Sequence, residues 1–356
     1  MAIYIISLLG TLFLSNLYEH AKDEKNRKIS IIILITFLVF ISGFRYMNYY
    51  LSDEWNYRTM ADAYKGVPFD INLFYGNKEW LFSVLQWVAV NIFGSNQALI
   101  FLTALVTNVS IILFLRKYAY SFTFSTFLYI SSGAFFTSMN IMRQYMAVAV
   151  ILWCYPMAKK KKFVKYFLLV IVASFIHQSA WVMLPLYFVF AYDSKRNLSY
   201  VLIAAMLVVF VNFDRIVGGV LSHTSYEYYL ENITDGGYGT GLIRVLAWLV
   251  PYCLIMLYQK KLQERFGASR LFIYCVILCV CILVVSLKYV FVARFEVYFV
   301  VPAYAVLGMI PLLFTDRSKK VVWMCMILFF FAFGAYQAYI NPVYHNMIFE
   351  NISGTL

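Results

Sequence analysis

The sequence predicts an all-α, polytopic integral membrane bundle, and three observations carry that prediction. Hydrophobic residues make up 63% of the 356 and charged residues only 13%, with a mean hydropathy of +0.75; a soluble domain is about half apolar and a quarter charged. Apolar runs long enough to cross a bilayer recur along the whole chain. Lys and Arg cluster in the short loops between those runs, so the formal charge of +12 reads as a membrane-orientation signal rather than a nucleic-acid footprint.

The first run, 1–18, lacks a basic leader and a small-residue cleavage site, so it reads as a transmembrane helix and not as a cleaved signal. Further runs lie near 29–45, 97–115, 120–138, 141–157, 199–217, 241–258, 271–288, 296–314 and 321–339. Residues 164–192 are interrupted by "HQS" at His177–Ser179 and fit two short or half-broken helices. The expected total is about twelve transmembrane helices. Cys154, Cys253, Cys275, Cys279, Cys281 and Cys325 all fall in apolar segments and read as buried thiols rather than metal ligands.

Orientation follows from the basic loops. Those beginning at Lys22, Arg116, Lys159, Gln259 and Asp316 are expected to face the cytoplasm, and the Lys- and Arg-free stretch from Ser222 and the tail after Ile340 the outside. Parity then makes 79–94, "EWLFSVLQWVAVNIFG", a re-entrant or juxtamembrane helix: it is short, carries Glu79, Gln86 and Asn91, and cannot cross if both flanking basic loops are inside. The alternative gives it a full span, with the amino terminus and the Arg45 loop cytoplasmic. On the first reading, 1–356 is one integral membrane domain with extracytoplasmic loops 46–78 and 218–240.

Several polar residues are then expected at the outer face. They are Arg45, Asp53, Glu54 and Tyr57 after the second run, Asn140, Arg143 and Gln144 at the start of another, His177 and Gln178 at the break, Arg244, and Arg294 with Glu296. On a continuous helix Asn140, Arg143 and Gln144 share one face, as do Arg294 and Tyr298, while Glu296 points elsewhere. A lone arginine near a helix end is commonly a snorkelling anchor, but several on one leaflet beside a histidine suit another role. Arginine forks onto phosphate oxygens, and His177 has a natural proton affinity near neutrality. No Walker, dinucleotide-binding, zincin or nucleophile-elbow motif is present, and no Asp-x-Asp pair for a metal on a sugar nucleotide. Phosphate chemistry would therefore rest on arginine, with no metal and no cofactor expected.

Three blocks resemble the EpsG-type, Wzy-like polysaccharide polymerases of bacteria. "GFRYMNYYLSDEWNYRTM" is similar to that family's Arg, Asp, Tyr pattern, "MNIMRQYMAVAV" to its Asn and Arg-Gln block, and "ASFIHQSAWVMLPL" to its His-x-Ser block; "ARFEVYF" resembles a later Arg and Tyr element. One departure is Leu51-Ser52-Asp53 where members often carry Gly-Thr-Asp. The resemblance implies a multi-pass protein of the cytoplasmic (inner) membrane, similar in fold to polyprenyl-dependent (GT-C-like) glycosyltransferases. It implies an activity joining undecaprenyl-pyrophosphate-linked oligosaccharide repeat units into O-antigen, capsule or exopolysaccharide, on the outer face. Donor and acceptor lipids, the surrounding membrane lipid and a chain-length regulator are the implied partners.

Under that resemblance Asp53, Arg143, His177 and Arg294 are the expected catalytic residues. Arg45, Tyr57, Asn140, Gln144, Arg244, Glu296 and Tyr298 are expected to bind substrate. Asp53 and His177 both stand as proton acceptors for the sugar hydroxyl. The rival classes are a flippase for the same lipid, which calls for polar residues on both sides and paired repeats, and a membrane O-acetyltransferase, which needs a cytoplasmic acyl donor.

Overall fold

A computed structural model describes residues 2–45, 53–191, 198–212, 241–288 and 290–340, and among these the regular structure is entirely helical. The expected outer loop 218–240, the tail after Ile340 and the part of loop 46–78 before Asp53 lie outside the described residues. The chain divides into two compact units, Met1–Tyr187 with Lys320–Leu356, and Phe188–Lys319.

The first unit begins with α1 (Ala2–His20) and α2 (Glu24–Gly43). The turn between them is set by Asp23, whose carboxylate accepts from the Asn26 N–H at 2.7 Å and caps α2, with Glu24 favourably placed in its first turn. Then come α3 (Glu54–Asp62), α4 (Trp80–Asn91) and α5 (Asn96–Tyr118). They are followed by α6 (Phe122–Ser131), α7 (Ala134–Asn140), α8 (Met142–Ile151), α9 (Cys154–Lys159), α10 (Phe163–Ile176) and α11 (Met183–Ala191), whose last residues, from Phe188, belong to the second unit. The helix α5 packs against α2, α4 and α8, and α10 against α4 and α8.

Between helices in a membrane, apolar burial gives little drive, and polar side chains supply directed contacts. Asn108, buried on α5, donates to Ser42 Oγ of α2 at 3.0 Å and accepts from the Tyr129 hydroxyl of α6 at 3.1 Å.

The second unit contains α12 (Leu198–Val211), α13 (Leu242–Leu257), α14 (Gln259–Phe266), α15 (Arg270–Ser286) and α16 (Val297–Leu307). Its centre is α15, which packs against α12, α13 and α16 and buries most of its circumference, Cys275, Cys279 and Cys281 included. Among the described residues no group of three or more His, Cys, Asp or Glu side chains is arranged to hold a metal. The last helix, α17 (Asp316–Ile340), returns to the first unit from Lys320 onward.

Five segments are long and apolar enough to cross a membrane: Ala2–His20, Glu24–Gly43, Asn96–Tyr118, Val290–Leu307 and Asp316–Ile340. Two bent pairs, Ala134–Asn140 with Met142–Lys159 (119°) and Leu242–Leu257 with Gln259–Phe266 (61°), would bring the number to seven. The expected total of about twelve is thus not reached by helices of spanning length among the described residues. Several expected runs are shorter helices instead, because an apolar run does not state where its backbone turns. Run 120–138 breaks at Gly133, whose φ of +85° is a left-handed conformation that costs glycine little. Run 164–192 breaks at His177, as its sequence suggests.

A close approach at Gly334 of α17 yields a testable outcome. A β-carbon there would collide with the Tyr4 hydroxyl and the backbone carbonyl of Ser131, and the carbonyl cannot swing aside. At Gly10 the obstacle is the ring of Phe37, a side chain that can move. Gly334→Ala should therefore destabilise the protein by about 1–3 kcal/mol and Gly10→Ala by less, as read from thermal unfolding in detergent.

Candidate active site

The bend after α7 places the first site residue. Asn140 ends α7, Ile141 has φ −92° and ψ 50°, and α8 starts at Met142, so Asn140, Arg143 and Gln144 do not line one continuous helical face. The expected shared face is replaced by three separate contacts. Asn140 Oδ1 accepts the Asp53 N–H at 2.8 Å, Arg143 Nη1 pairs with Glu79 Oε2 at 2.7 Å, and Gln144 Nε2 donates to Ser179 Oγ at 3.3 Å. Each contact ties α7 or α8 to a different part of the first unit.

Glu79 organises the cluster. It stands at the N-cap of α4, a position where a carboxylate ordinarily accepts N–H groups of its own helix, yet its side chain makes no such bond. Asn77 Oδ1 instead accepts the Glu79 N–H at 2.8 Å. The carboxylate reaches across to α8 and to the break after α10. Besides Arg143, it meets His177 Nδ1 at 2.7 Å and accepts the Gln178 N–H at 2.8 Å, both through Oε1. That N–H is available because His177 is extended (φ −152°, ψ 121°) and ends α10. Trp80 packs beside Phe175, ring centroids 5.3 Å apart, holding the start of α4 to the end of α10.

The cluster is partly open, with side-chain exposures of 29% for Arg143, 16% for His177 and 14% for Glu79. The Arg143 guanidinium lies over the rings of Tyr57 and Phe82, 5.5 and 5.9 Å from their centroids, a cation–π arrangement. Its Nε is buried and takes no acceptor among the described residues. Asp53 is partly exposed; it precedes α3 but its carboxylate makes no capping bond.

Arg45 has different surroundings. It is 1% exposed, and its guanidinium meets Glu54 Oε2 at 2.9 Å, the carbonyls of Ser42 and Met139, and the sulfur of Met142. Glu54 also takes Arg58, through Nη2 at 2.7 Å and Nε at 2.8 Å. Arg58 continues to Asn96 Oδ1, Gln97 Oε1 and the Arg45 carbonyl. This enclosed group joins the end of α2 to α3 and α5 and fixes the start of α3, one residue after Asp53.

In the second unit Arg244 Nη2 pairs with Glu296 Oε2 at 3.1 Å, the arginine 44% exposed and the glutamate 5%. Arg294 and Tyr298 do not share the expected face. Residues Val290–Glu296 form 3-10 turns before α16, which breaks the four-residue register; Arg294 is exposed and Tyr298 buried. The aromatic run from Ser225 to Leu230 lies outside the described residues.

Sequence reasoning did not place Glu79 among the site residues. The available signal was an acid opening an otherwise apolar stretch, but nothing local says that it reaches Arg143 and His177. Glu54 and Arg58 stood in the same quoted block as Asp53, yet their mutual pairing needs the turn of a helix that polarity alone does not announce.

Regular structure that is entirely helical among the described residues, with several segments of spanning length and ion pairs at the helix ends, defines a polytopic helical membrane protein. The profile of the EpsG family matches residues 28–349, nearly the whole chain, and the chain belongs to that family. Membership suggests a membrane polysaccharide polymerase, an enzyme of glycosyltransferase type. No curated protein and no solved structure matches the chain.

Two measurable outcomes follow from these pairs. Glu54→Ala would leave Arg45 and Arg58 enclosed without their carboxylate, and should cost about 3–5 kcal/mol in thermal unfolding. For Glu79, burial raises the proton affinity, but the hydrogen bond from His177, the charges of Arg143 and His177 and the Gln178 N–H together hold its carboxyl below the ordinary value of 4.5. A depressed carboxyl stabilises the fold fully above its unfolded value, and that contribution is lost as pH falls through the folded one. The melting temperature should therefore drop on acidification below pH 4.5 more steeply in the wild type than in Glu79→Gln.

Proposed function

We propose that the chain polymerises lipid-linked oligosaccharide repeat units on the outer face of the cytoplasmic membrane, with an undecaprenyl pyrophosphate as the leaving group. Family membership supports the class of reaction. The observation that carries the chemistry is Arg143: a partly exposed guanidinium, oriented by Glu79 and two rings, with a buried Nε lacking an acceptor.

Transfer requires the acceptor sugar's hydroxyl oxygen to attack the donor's anomeric carbon while the bond to pyrophosphate breaks. Negative charge grows on the leaving group, and a preorganised cation in a partly dry site stabilises that charge. Arg143 is the proposed cation: Nη1 is engaged by Glu79, and the side chain stays partly exposed, where a phosphate oxygen can approach it. The hydroxyl proton needs an acceptor within reach, and Asp53 and His177 are the proposed choices. Asn140 holds the backbone beside Asp53, and Gln144 braces the short helix that carries Ser179. Arg45, enclosed by Glu54, takes an architectural part in this reading. Arg244, Arg294, Glu296 and Tyr298 belong to the second unit, and the reading rests on the residues of the first.

Arg143→Ala should abolish long saccharide chains, a loss of about 100-fold or more, while single lipid-linked units still accumulate outside. Arg143→Lys should restore little, because an ammonium lacks the fork. Gels of membrane saccharides, with probes for the exposed face, give the answer. Units trapped on the cytoplasmic side in both variants would show a flippase and overturn the polymerase.

A further inference from the structure

The cluster contains more than a cation for phosphate. Glu79 receives three donors from two segments: Arg143 of α8 on Oε2, and, from the break after α10, the Gln178 N–H and His177 Nδ1 on Oε1. An ionised carboxylate has no proton to give, and the Arg143 guanidinium on Oε2 keeps Glu79 ionised. The contact at 2.7 Å is therefore a hydrogen bond in which Nδ1–H of His177 donates and Glu79 accepts. In a neutral imidazole this fixes the tautomer, because a proton on Nδ1 leaves Nε2 as a bare lone pair. Among the described residues nothing hydrogen-bonds Nε2.

Asp53 lacks any such arrangement. Its backbone N–H is held by Asn140, and nothing fixes the direction of its carboxylate among the described residues. A base must be aimed before its basicity matters. His177 is aimed by a carboxylate and by the helix break that carries it; among the described residues Asp53 is held by its backbone.

We propose that Glu79 is a positioning residue which locks His177 with its proton on Nδ1, so that His177 Nε2 is the base that takes the proton of the attacking sugar hydroxyl. This rests on the polymerase reading and decides between its two proton acceptors. As the hydroxyl oxygen bonds to the anomeric carbon, its proton passes to Nε2. The electron pair of the broken carbon–oxygen bond leaves with the pyrophosphate. The imidazolium that forms faces the Glu79 carboxylate, which stabilises it, and it afterwards returns its proton to solvent. Glu79 never touches the sugar; it acts through His177, and it also holds the arginine proposed to face the leaving group. One carboxylate thereby sets the spacing between the base and the phosphate-binding cation.

Two variants separate these duties. In Glu79→Gln the amide oxygen stays toward the Gln178 N–H and His177, and the amide nitrogen is turned on Arg143, so the tautomer survives and the arginine is released. In Glu79→Ala both are lost. The test uses the full chain in lipid nanodiscs with 15N-histidine, at about pH 8, where ordinary histidine is neutral; the His177 signals are assigned by their loss in His177→Gln. The wild type and Glu79→Gln should show Nδ1 protonated and Nε2 bare, and Glu79→Ala should lose that preference.

Elongation of purified lipid-linked repeat units is measured on the same samples. In Glu79→Ala and His177→Gln kcat should fall by about 100-fold or more, with KM for the acceptor unit within about threefold of wild type. A merely structural role would not produce the tautomer change together with that split. A wild-type proton on Nε2, or a Glu79→Ala enzyme that elongates at the wild-type kcat, overturns the proposal and leaves the polymerase reading intact. A wild type that shows the Nδ1 proton but never elongates the units overturns the polymerase reading, and the role of base with it.

Discussion

The carboxylate of Glu79 between Arg143 and His177 is the contact on which the arrangement of the first unit's site depends. A charge drawn largely out of water persists only where a partner meets it. Here one acid meets a guanidinium on α8, an imidazole at the end of α10 and a backbone N–H beyond it. Three segments far apart in sequence are thereby held at fixed separations. The neighbouring group of Arg45, Glu54 and Arg58 follows the same rule in a more enclosed setting.

Both groups occur where helices stop. Irregular backbone within a membrane protein has to find hydrogen-bond partners inside the protein or in water, and the breaks at Ile141 and His177 are served by polar side chains. The Gln178 N–H, released by the break after α10, goes to Glu79; the Asp53 N–H, before α3, goes to Asn140. The broken geometry and the unusual polar residues are thus parts of one arrangement. The interior of a straight helix would keep its N–H groups for its own carbonyls and would have none to offer a carboxylate.

Some of this was legible in the sequence. Arg143 and His177 stand out because each is a polar residue inside or beside a run that would otherwise be hydrocarbon, and the structure brings these two to one carboxylate. Arg45 stands out for the same reason but is enclosed by Glu54, since polarity marks a residue as unusual without saying which way it faces. Glu79 was visible as an acid opening a short apolar segment, and its reach to α8 and α10 was not. The pairing of Arg294 with Tyr298 assumed a continuous helix, and the 3-10 turns through Glu296 removed that register.

What the sequence by itself determined is the helical membrane class and the EpsG family, since hydropathy, loop charge and short motifs are local properties that survive whatever the packing. What only the tertiary structure decided is which charges meet: Glu79 with Arg143 and His177, and Glu54 with Arg45 and Arg58. The bend of 119° after Asn140 was likewise decided by packing, in a stretch with neither proline nor glycine at the turn. The physical reason is that an ion pair depends on separation in space, and separation between distant segments is fixed by how helices pack, not by the order of residues along any one of them.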